Sequence, residues 1–143
     1  MNHLFLDTDI LLDLLTGRMP FMLDASKLFS LLDHTKLKAF TSSLSFSNIY
    51  YVLRKYASHN KIINKLSELS DFVEILPVDE TIIKKALNSR FKDFEDAIQC
   101  FAAQDHSKIN VIITRNIKDF KTSTLPVMSA GTWIRTYQQT IKD

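Results

Sequence analysis

Short apolar runs alternate with helical segments along this chain, and that alternation constrains the fold more than any other feature. The strand-like runs are predicted at 3–7, 38–42, 72–78, 110–115 and 125–129. Between them, apolar residues recur at the three- and four-residue spacing of helices, as in 20–35. Strands that alternate with helices form parallel sheets covered by helices. The sequence therefore predicts an α/β three-layer sandwich with a central, mainly parallel sheet of four to five strands.

Composition narrows the class of protein. Ten Phe, two Gly and three Pro in 143 residues are typical of one folded domain, predicted over 1–143, with long regular elements. No apolar run approaches the roughly 20 residues of a membrane span. The lone Cys100 cannot form an internal disulfide, so we expect a cytoplasmic protein without a membrane segment. The formal charge of +2 neither requires nor excludes a nucleic-acid partner.

Polar side chains, most of them acidic, follow the predicted strands or open the helices beyond them. They are Asp7 and Asp9, Asp93 and Asp96, and Asn116 and Asp119. On the predicted helix 93–106, Asp93 and Asp96 share one flank and Glu95 falls on the opposite flank. Ligands of open parallel sheets bind outside the carboxyl ends of the strands. We therefore expect carboxylates from separate segments to meet at one edge of the sheet.

A converging set of carboxylates requires protons or a bound cation, because like charges raise one another's pKa. The candidate ligands are oxygens, with no Cys or His pair at zinc spacing, which favours Mg²⁺ or Mn²⁺. Hydrolysis of a phosphodiester is the chemistry that uses such a site, because the metal activates a water and offsets phosphate charge.

Most of these acids also have a purely structural interpretation. Asp9 could be a first-turn acid favoured by the helix dipole, and Asp13 could be a solvated or salt-bridged helix residue. Asp93 and Asp119 could be caps. Asp7 is different, since an acid at the buried end of an apolar strand is costly without a partner.

Three motifs, in this order, resemble the PIN domain, a metal-dependent nuclease fold that includes the ribonuclease toxins of bacterial type II toxin–antitoxin pairs. The opening "LFLDTDILLDLL" (4–15) resembles the family's apolar strand, Asp-x-Asn/Asp and leucine-rich helix. The segment "DFEDAIQCFAA" (93–103) is similar to its central acidic helix, and "VIITRNIKDF" (111–120) to its closing strand and loop. The resemblance covers nearly the whole chain.

The resemblance implies an Mg²⁺- or Mn²⁺-dependent endoribonuclease and assigns roles to individual residues. The implied catalytic residues are Asp7, Asp96, Asp119 and Thr114. The implied metal ligands are Asp7, Asp96, Asp119 and Asn116. Asp9, Asp93 and Asn48 would surround these ligands. If RNA is the substrate, Arg115, Lys118 and Lys121 would contact phosphates at the pocket mouth. A cognate antitoxin and a second copy of the chain are the implied protein partners, on the apolar helices 20–35 and 43–57.

One position departs from the family pattern. The family usually carries a Glu early in the third helix, where this chain has Asn48. Asn brings an oxygen but no charge, so divalent-metal affinity is expected to be weaker. The alternative function is a catalytically impaired PIN-like module that binds RNA or protein. A second alternative takes "DTDIL" as the aspartyl motif of haloacid-dehalogenase-like phosphatases, but Leu11 replaces its Thr or Val.

Overall fold

The computed structural model describes residues 2–142, apart from the side chain of His34; Met1 and Asp143 of the predicted domain lie outside the described residues. The strands are β1 (His3–Leu6), β2 (Lys38–Ser42), β3 (Val73–Leu76), β4 (Val111–Ile113) and β5 (Val127–Met128). The α-helices are α1 (Thr8–Thr16), α2 (Phe21–His34), α3 (Ser43–Leu53), α4 (His59–Ser70), α5 (Glu80–Leu87), α6 (Phe94–Asp105) and α7 (Ala130–Lys142). A short 3-10 helix spans Ile117–Phe120.

All five strands are parallel and lie in the order β3-β2-β1-β4-β5. The chain adds β2 and β3 on one side of β1 and then crosses over to add β4 and β5 on the other. The strand order therefore reverses between β1 and β4, where open parallel sheets form a crevice at their carboxyl ends. The predicted three-layer α/β sandwich is confirmed.

The two faces of the sheet bury separate cores, because successive side chains of a strand point to opposite faces. Leu4 and Leu6 of β1 pack with α1, α2, α3, α4 and α7, whereas Phe5 packs with α5 and α6. Trp133 of α7 and Phe120 of the 3-10 helix are almost fully buried in these two cores. Within residues 2–142, no helix combines the length and the apolar character needed to cross a bilayer.

Capping residues set where the helices begin. Asp79 caps the start of α5 by accepting a hydrogen bond from the backbone N–H of Ile82. Gly17 ends α1 with a φ of 65°, a conformation that favours glycine. Ser42 caps α3: its backbone is extended, and its hydroxyl accepts a hydrogen bond from the backbone N–H of Ser45.

Several predicted elements are shorter in the structure, including the strands predicted at 72–78 and 125–129, which are reduced to β3 and β5. The helix predicted to reach residue 57 ends at Leu53. The strand predicted over 110–115 is reduced to β4, although β4 is central. It ends there because the backbone N–H of Arg115 donates to the Asp9 carboxylate instead of continuing the ladder.

Candidate active site

The candidate site lies where β1 and β4 end, at the reversal of the strand order. Asp7 directly follows β1, and its backbone N–H donates to the carbonyl of Ile113 in β4 at 3.0 Å. Asp7 is also the N-cap of α1. Thr114 directly follows β4 and is fully buried. The parallel register thus brings residues more than 100 positions apart in sequence to one point at the edge of the sheet.

The Asp7 carboxylate is buried and held by three hydrogen-bond donors. The Thr114 hydroxyl donates to Oδ2 at 2.7 Å, while the Thr8 backbone N–H and Gln99 Nε2 donate to Oδ1 at 2.8 and 3.3 Å. Burial raises the pKa of Asp7 above its usual value, and these three donors oppose that rise. The three hydrogen bonds therefore fix the orientation of the Asp7 carboxylate, although burial makes its charged form unfavourable.

Asp9 and Asp96 line a pocket of about 190 Å³ together with Asp7. Burial, followed by the charge of Asp7, raises the pKa of Asp9 and of Asp96 to about 7. Asp9 Oδ2 accepts the backbone N–H of Arg115 at 3.2 Å, but its buried Oδ1 has no hydrogen-bond partner in the described part of the chain. The carboxylates expected from the sequence to converge at the sheet edge do so here.

Gln99, which the sequence interpretation did not select, connects Asp7 to the surrounding hydroxyls. Its Nε2 donates to Ser45 Oγ at 2.7 Å and to Thr8 Oγ1 at 3.1 Å, as well as to Asp7. Its Oε1 accepts from the hydroxyl of Ser42. The i,i+3 spacing of Asp96 and Gln99 on α6 is the signal that could have identified it. Gln99 fixes Asp7 from the opposite side to Thr114.

Asn116 lines the same pocket, whereas Asp93 and Asp119 line a neighbouring one of about 510 Å³. Asp93 caps α6 by accepting the backbone N–H of Asp96 at 2.9 Å, which is its alternative structural role. Both Asp93 and Asp119 still raise the pKa of Asp96 through their charge. The structure thus brings together Asp7, Asp96 and Asn116, with Asp119 at the edge of the group.

The neighbouring pocket is rich in basic residues. Its lining includes Arg90, Lys92, Lys118 and Lys121. Lys118 and Lys121 are exposed, which is where the sequence interpretation placed phosphate contacts. An anionic chain that reaches the carboxylates from this side would therefore pass positive charge first.

Arg115 has another partner. Its guanidinium donates to both carboxylate oxygens of Asp13, at 2.8 and 3.1 Å, and lies 4.0 Å from the centre of the Phe21 ring. Asp13 is only 1% exposed, so of the two structural alternatives, a solvated or a salt-bridged helix residue, the salt-bridged one describes it. This ion pair joins α1 to the loop after β4, and the geometry favours an anchoring role for Arg115 over the predicted contact with RNA.

Asn48 faces Glu95 across the rim of the Asp7 pocket. Asn48 Nδ2 donates to Glu95 Oε2 at 3.2 Å, and Glu95 lines the pocket with Asp7, Asp9 and Asp96. Glu95, expected on the flank of α6 opposite Asp93 and Asp96, therefore still reaches the pocket that Asp96 lines. That expectation considered α6 alone, whereas α3 supplies the group that holds Glu95 at the rim.

The pocket offers the kind of ligand that a hard divalent cation requires. Its polar side chains present carboxylate and amide oxygens, and Asp9 Oδ1 is buried without a partner among residues 2–142. In that same part of the chain, no three His, Cys, Asp or Glu side chains form a preassembled metal-binding group. Mg²⁺ is usually bound by only one or two carboxylates, with waters and substrate phosphates completing its shell. The residues present fit that mode of binding.

Comparison with known proteins identifies the family. A family model described as PIN domain matches residues 3–118. The chain belongs to the PIN-domain family. Ribonuclease VapC1 of Aquifex aeolicus (strain VF5) is 25% identical to this PIN domain over 133 residues, which cover 90% of each chain.

Solved structures share the fold of this PIN domain. A toxin-antitoxin complex from Klebsiella pneumoniae aligns with a TM-score of 0.64 and 25% identity, over 88% of this chain and 96% of the other. VapBC-1 from nontypeable Haemophilus influenzae aligns with a TM-score of 0.66 and 18% identity, over 90% of this chain and 98% of the other. The match extends well beyond the three sequence motifs.

Proposed function

We propose that this PIN domain is an endoribonuclease that hydrolyses RNA phosphodiester bonds with the aid of Mg²⁺ or Mn²⁺. The observation that carries the proposal is the pocket shared by Asp7, Asp9 and Asp96. Burial raises the pKa of all three carboxylates, and the charge of Asp7 further raises the pKa of Asp9 and of Asp96. A divalent cation relieves that repulsion. Membership of the PIN-domain family and the similarity to a protein named Ribonuclease VapC1 support RNA as the substrate.

Asp7 and Asp96 would hold the cation, with Asn116 and Asp119 completing the predicted set. A bound divalent cation lowers the pKa of a water and offsets charge on the phosphate. The chain's own contribution is orientation, since Thr114 and Gln99 fix the two oxygens of Asp7 from opposite sides. Such supporting hydrogen bonds typically change metal affinity or activity by about 10- to 100-fold.

Lys118 and Lys121 are proposed to attract the phosphates of the RNA. Both side chains line the basic pocket next to the carboxylates and are exposed. Phosphate contacts of this kind supply affinity without reading sequence. Arg115 is proposed instead to anchor the loop that carries Thr114 and Asn116, because Asp13 neutralises its guanidinium.

The proposal extends to a toxin that acts in the cytoplasm, forms a homodimer and is held by a cognate antitoxin. The names of two structural relatives, a toxin-antitoxin complex and VapBC-1, support this assignment. An apolar groove of about 350 Å³, with Leu14, Phe29 and Phe72 in its lining, is a suitable surface for a partner helix. Light scattering at micromolar concentration should give the mass of a dimer, and a monomer would contradict that part.

Cleavage of RNA by matched variants tests the proposed nuclease. Wild type should cleave a structured RNA when Mg²⁺ or Mn²⁺ is added and stop when the metal is chelated. Asp7→Asn and Asp96→Asn should each lose about 100-fold or more, because each removes a proposed metal ligand. Asp105→Asn, an exposed change at the far end of α6, is the control. Equal cleavage by wild type and both pocket variants would reject the assigned site.

The neutral side chain of Asn48 favours one other candidate, a PIN-like module that binds RNA without cleaving it. Calorimetric titration with Mn²⁺ distinguishes the two functions, because a ligand that binds only the folded state stabilises it. A module without catalysis would show neither divalent-dependent heat nor a divalent-dependent rise in thermal midpoint. The nuclease should show both.

A further inference from the structure

Glu95 is a fourth carboxylate at the mouth of the pocket that contains Asp7, Asp9 and Asp96. Its position is defined by a contact between two helices: Asn48 Nδ2 of α3 donates to Glu95 Oε2 of α6 at 3.2 Å. These residues are 47 positions apart in the sequence, so the contact exists only because the fold brings the two helices together.

Glu95 shares its pocket with other carboxylates and forms no ion pair within the described part of the chain. Among residues 2–142, no Lys, Arg or His forms an ion pair with Glu95, and Oε1 has no hydrogen-bond partner there. Its described side-chain partner is the neutral amide of Asn48. A carboxylate that is positioned next to other carboxylates, without a cationic partner, raises the electrostatic cost of the pocket unless a cation binds there.

We propose that Glu95 contributes a carboxylate to the divalent-cation site and that Asn48 positions it. The proposal rests on the proposed metal-dependent function and extends it to residues outside the expected ligand set. Asn48 orients Oε2, and Oε1 is left for the cation or for a water bound to it. Because the charge at this rim comes from α6, the neutral residue on α3 does not leave the pocket one carboxylate short.

Moving the carboxylate from position 95 to position 48 tests the proposal, because the contacting atoms of the two side chains are only 3.2 Å apart. Glu95→Gln removes the charge and retains the shape, and Mn²⁺ affinity measured by calorimetry should fall about 10-fold or more. Adding Asn48→Glu to that variant returns a carboxylate to the other side of the same contact. The double variant should recover Mn²⁺ affinity to within about 3-fold of wild type, because the affinity depends on a carboxylate at this contact and not on which helix supplies it.

Further variants separate charge from positioning. Asn48→Ala keeps the Glu95 charge but removes its hydrogen bond, so a loss of Mn²⁺ affinity smaller than that of Glu95→Gln is expected. Glu74→Gln, on the exposed side of β3 and outside the pocket, is the matched control and should bind Mn²⁺ as wild type does. Circular dichroism should give the same fold for every variant, since Glu95 is exposed and its loss removes no core contact.

The outcomes distinguish this inference from the proposed function. If Glu95→Gln binds Mn²⁺ as tightly as wild type while Asp7→Asn does not bind it, the role of Glu95 is overturned and the nuclease proposal stands. Failure of Asn48→Glu to restore binding to Glu95→Gln would also overturn it. If wild type itself binds no Mn²⁺ at millimolar concentration, the proposed function fails together with the inference.

Discussion

At the scale of single residues, Asp7 is the side chain on which the site depends most. It is only 4% exposed, yet its carboxylate is surrounded by hydrogen-bond donors rather than by a cationic side chain. An isolated buried charge is unfavourable, so a buried carboxylate requires hydrogen-bond donors or a bound cation to stabilise it. Burial of Asp9 and Asp96 is the first cause of their raised pKa values, and the charge of Asp7 is the second.

The raised pKa values predict how stability depends on pH without divalent cations. Between about pH 4 and pH 7 the folded protein binds more protons at Asp9 and Asp96 than the unfolded chain does. Their contribution to the free energy of unfolding is therefore greatest at the acidic end and decreases as the pH rises to about 7. Thermal midpoints measured across this range should show the decrease, and Asp9→Asn with Asp96→Asn should reduce it. An unchanged pH profile in the double variant would contradict the shared pocket.

Some of these residues could be predicted from local sequence and others could not. Asp7 and Asp96 were identifiable because an acid at the end of a buried strand and an acid in a central helix motif are visible in short segments. Glu95 could not be assigned to the pocket from the sequence because its partner, Asn48, comes from a distant helix. Gln99 was missed because a buried amide resembles any other polar helix residue until the groups around it are known.

At the scale of elements, the ion pair between Asp13 and Arg115 joins α1 to the loop after β4. Asp9 supplies a second link, since its carboxylate accepts the backbone N–H of Arg115. Arg115 lies between Thr114 and Asn116 in this loop. The two contacts of Arg115 therefore determine where these two site residues lie. An interpretation from sequence could not pair Asp13 with Arg115, because the contact spans 102 residues and depends on the sheet order.

Removing the carboxylate of Asp13 should destabilise the protein and displace the loop. Asp13→Asn should lower the free energy of unfolding by about 2 kcal/mol, because the change weakens a two-point hydrogen bond to a charged group that is mostly shielded from water. The measurement is denaturant unfolding without divalent cations. Asp105→Asn, which breaks an exposed ion pair with Lys85 at 3.7 Å, should cost less than about 1 kcal/mol. Equal effects of the two changes would contradict the proposed anchor.

At the scale of the whole molecule, the order of the strands positions the site. The alternation of strands and helices was sufficient to predict a parallel sheet, because parallel strands require long crossovers. The order β3-β2-β1-β4-β5 was not predictable in the same way, since it depends on which apolar faces pack together. That order joins Asp7 to Thr114 and thereby brings the first and third motifs into contact.

The small net charge of +2 means that attraction for RNA must come from a local arrangement of charge. Replacing Lys118 and Lys121 with Ala should reduce the slope of log affinity against log salt concentration by about 1 to 1.5, at about 0.7 for each contact with single-stranded RNA. Filter binding in the presence of a chelator measures this without cleavage. Lys84→Ala with Lys85→Ala, on α5, makes the same change in net charge and should leave the slope unchanged.

A crystal soaked in Mn²⁺ and measured at the manganese absorption edge tests the central claim most directly. The account predicts one anomalous peak in the pocket between Asp7 and Asp96, within about 2.5 Å of an oxygen of each carboxylate. The peak should be absent from crystals of Asp7→Asn soaked in the same way. A fully soaked crystal with no peak in this pocket, or with manganese bound only elsewhere, would contradict the account.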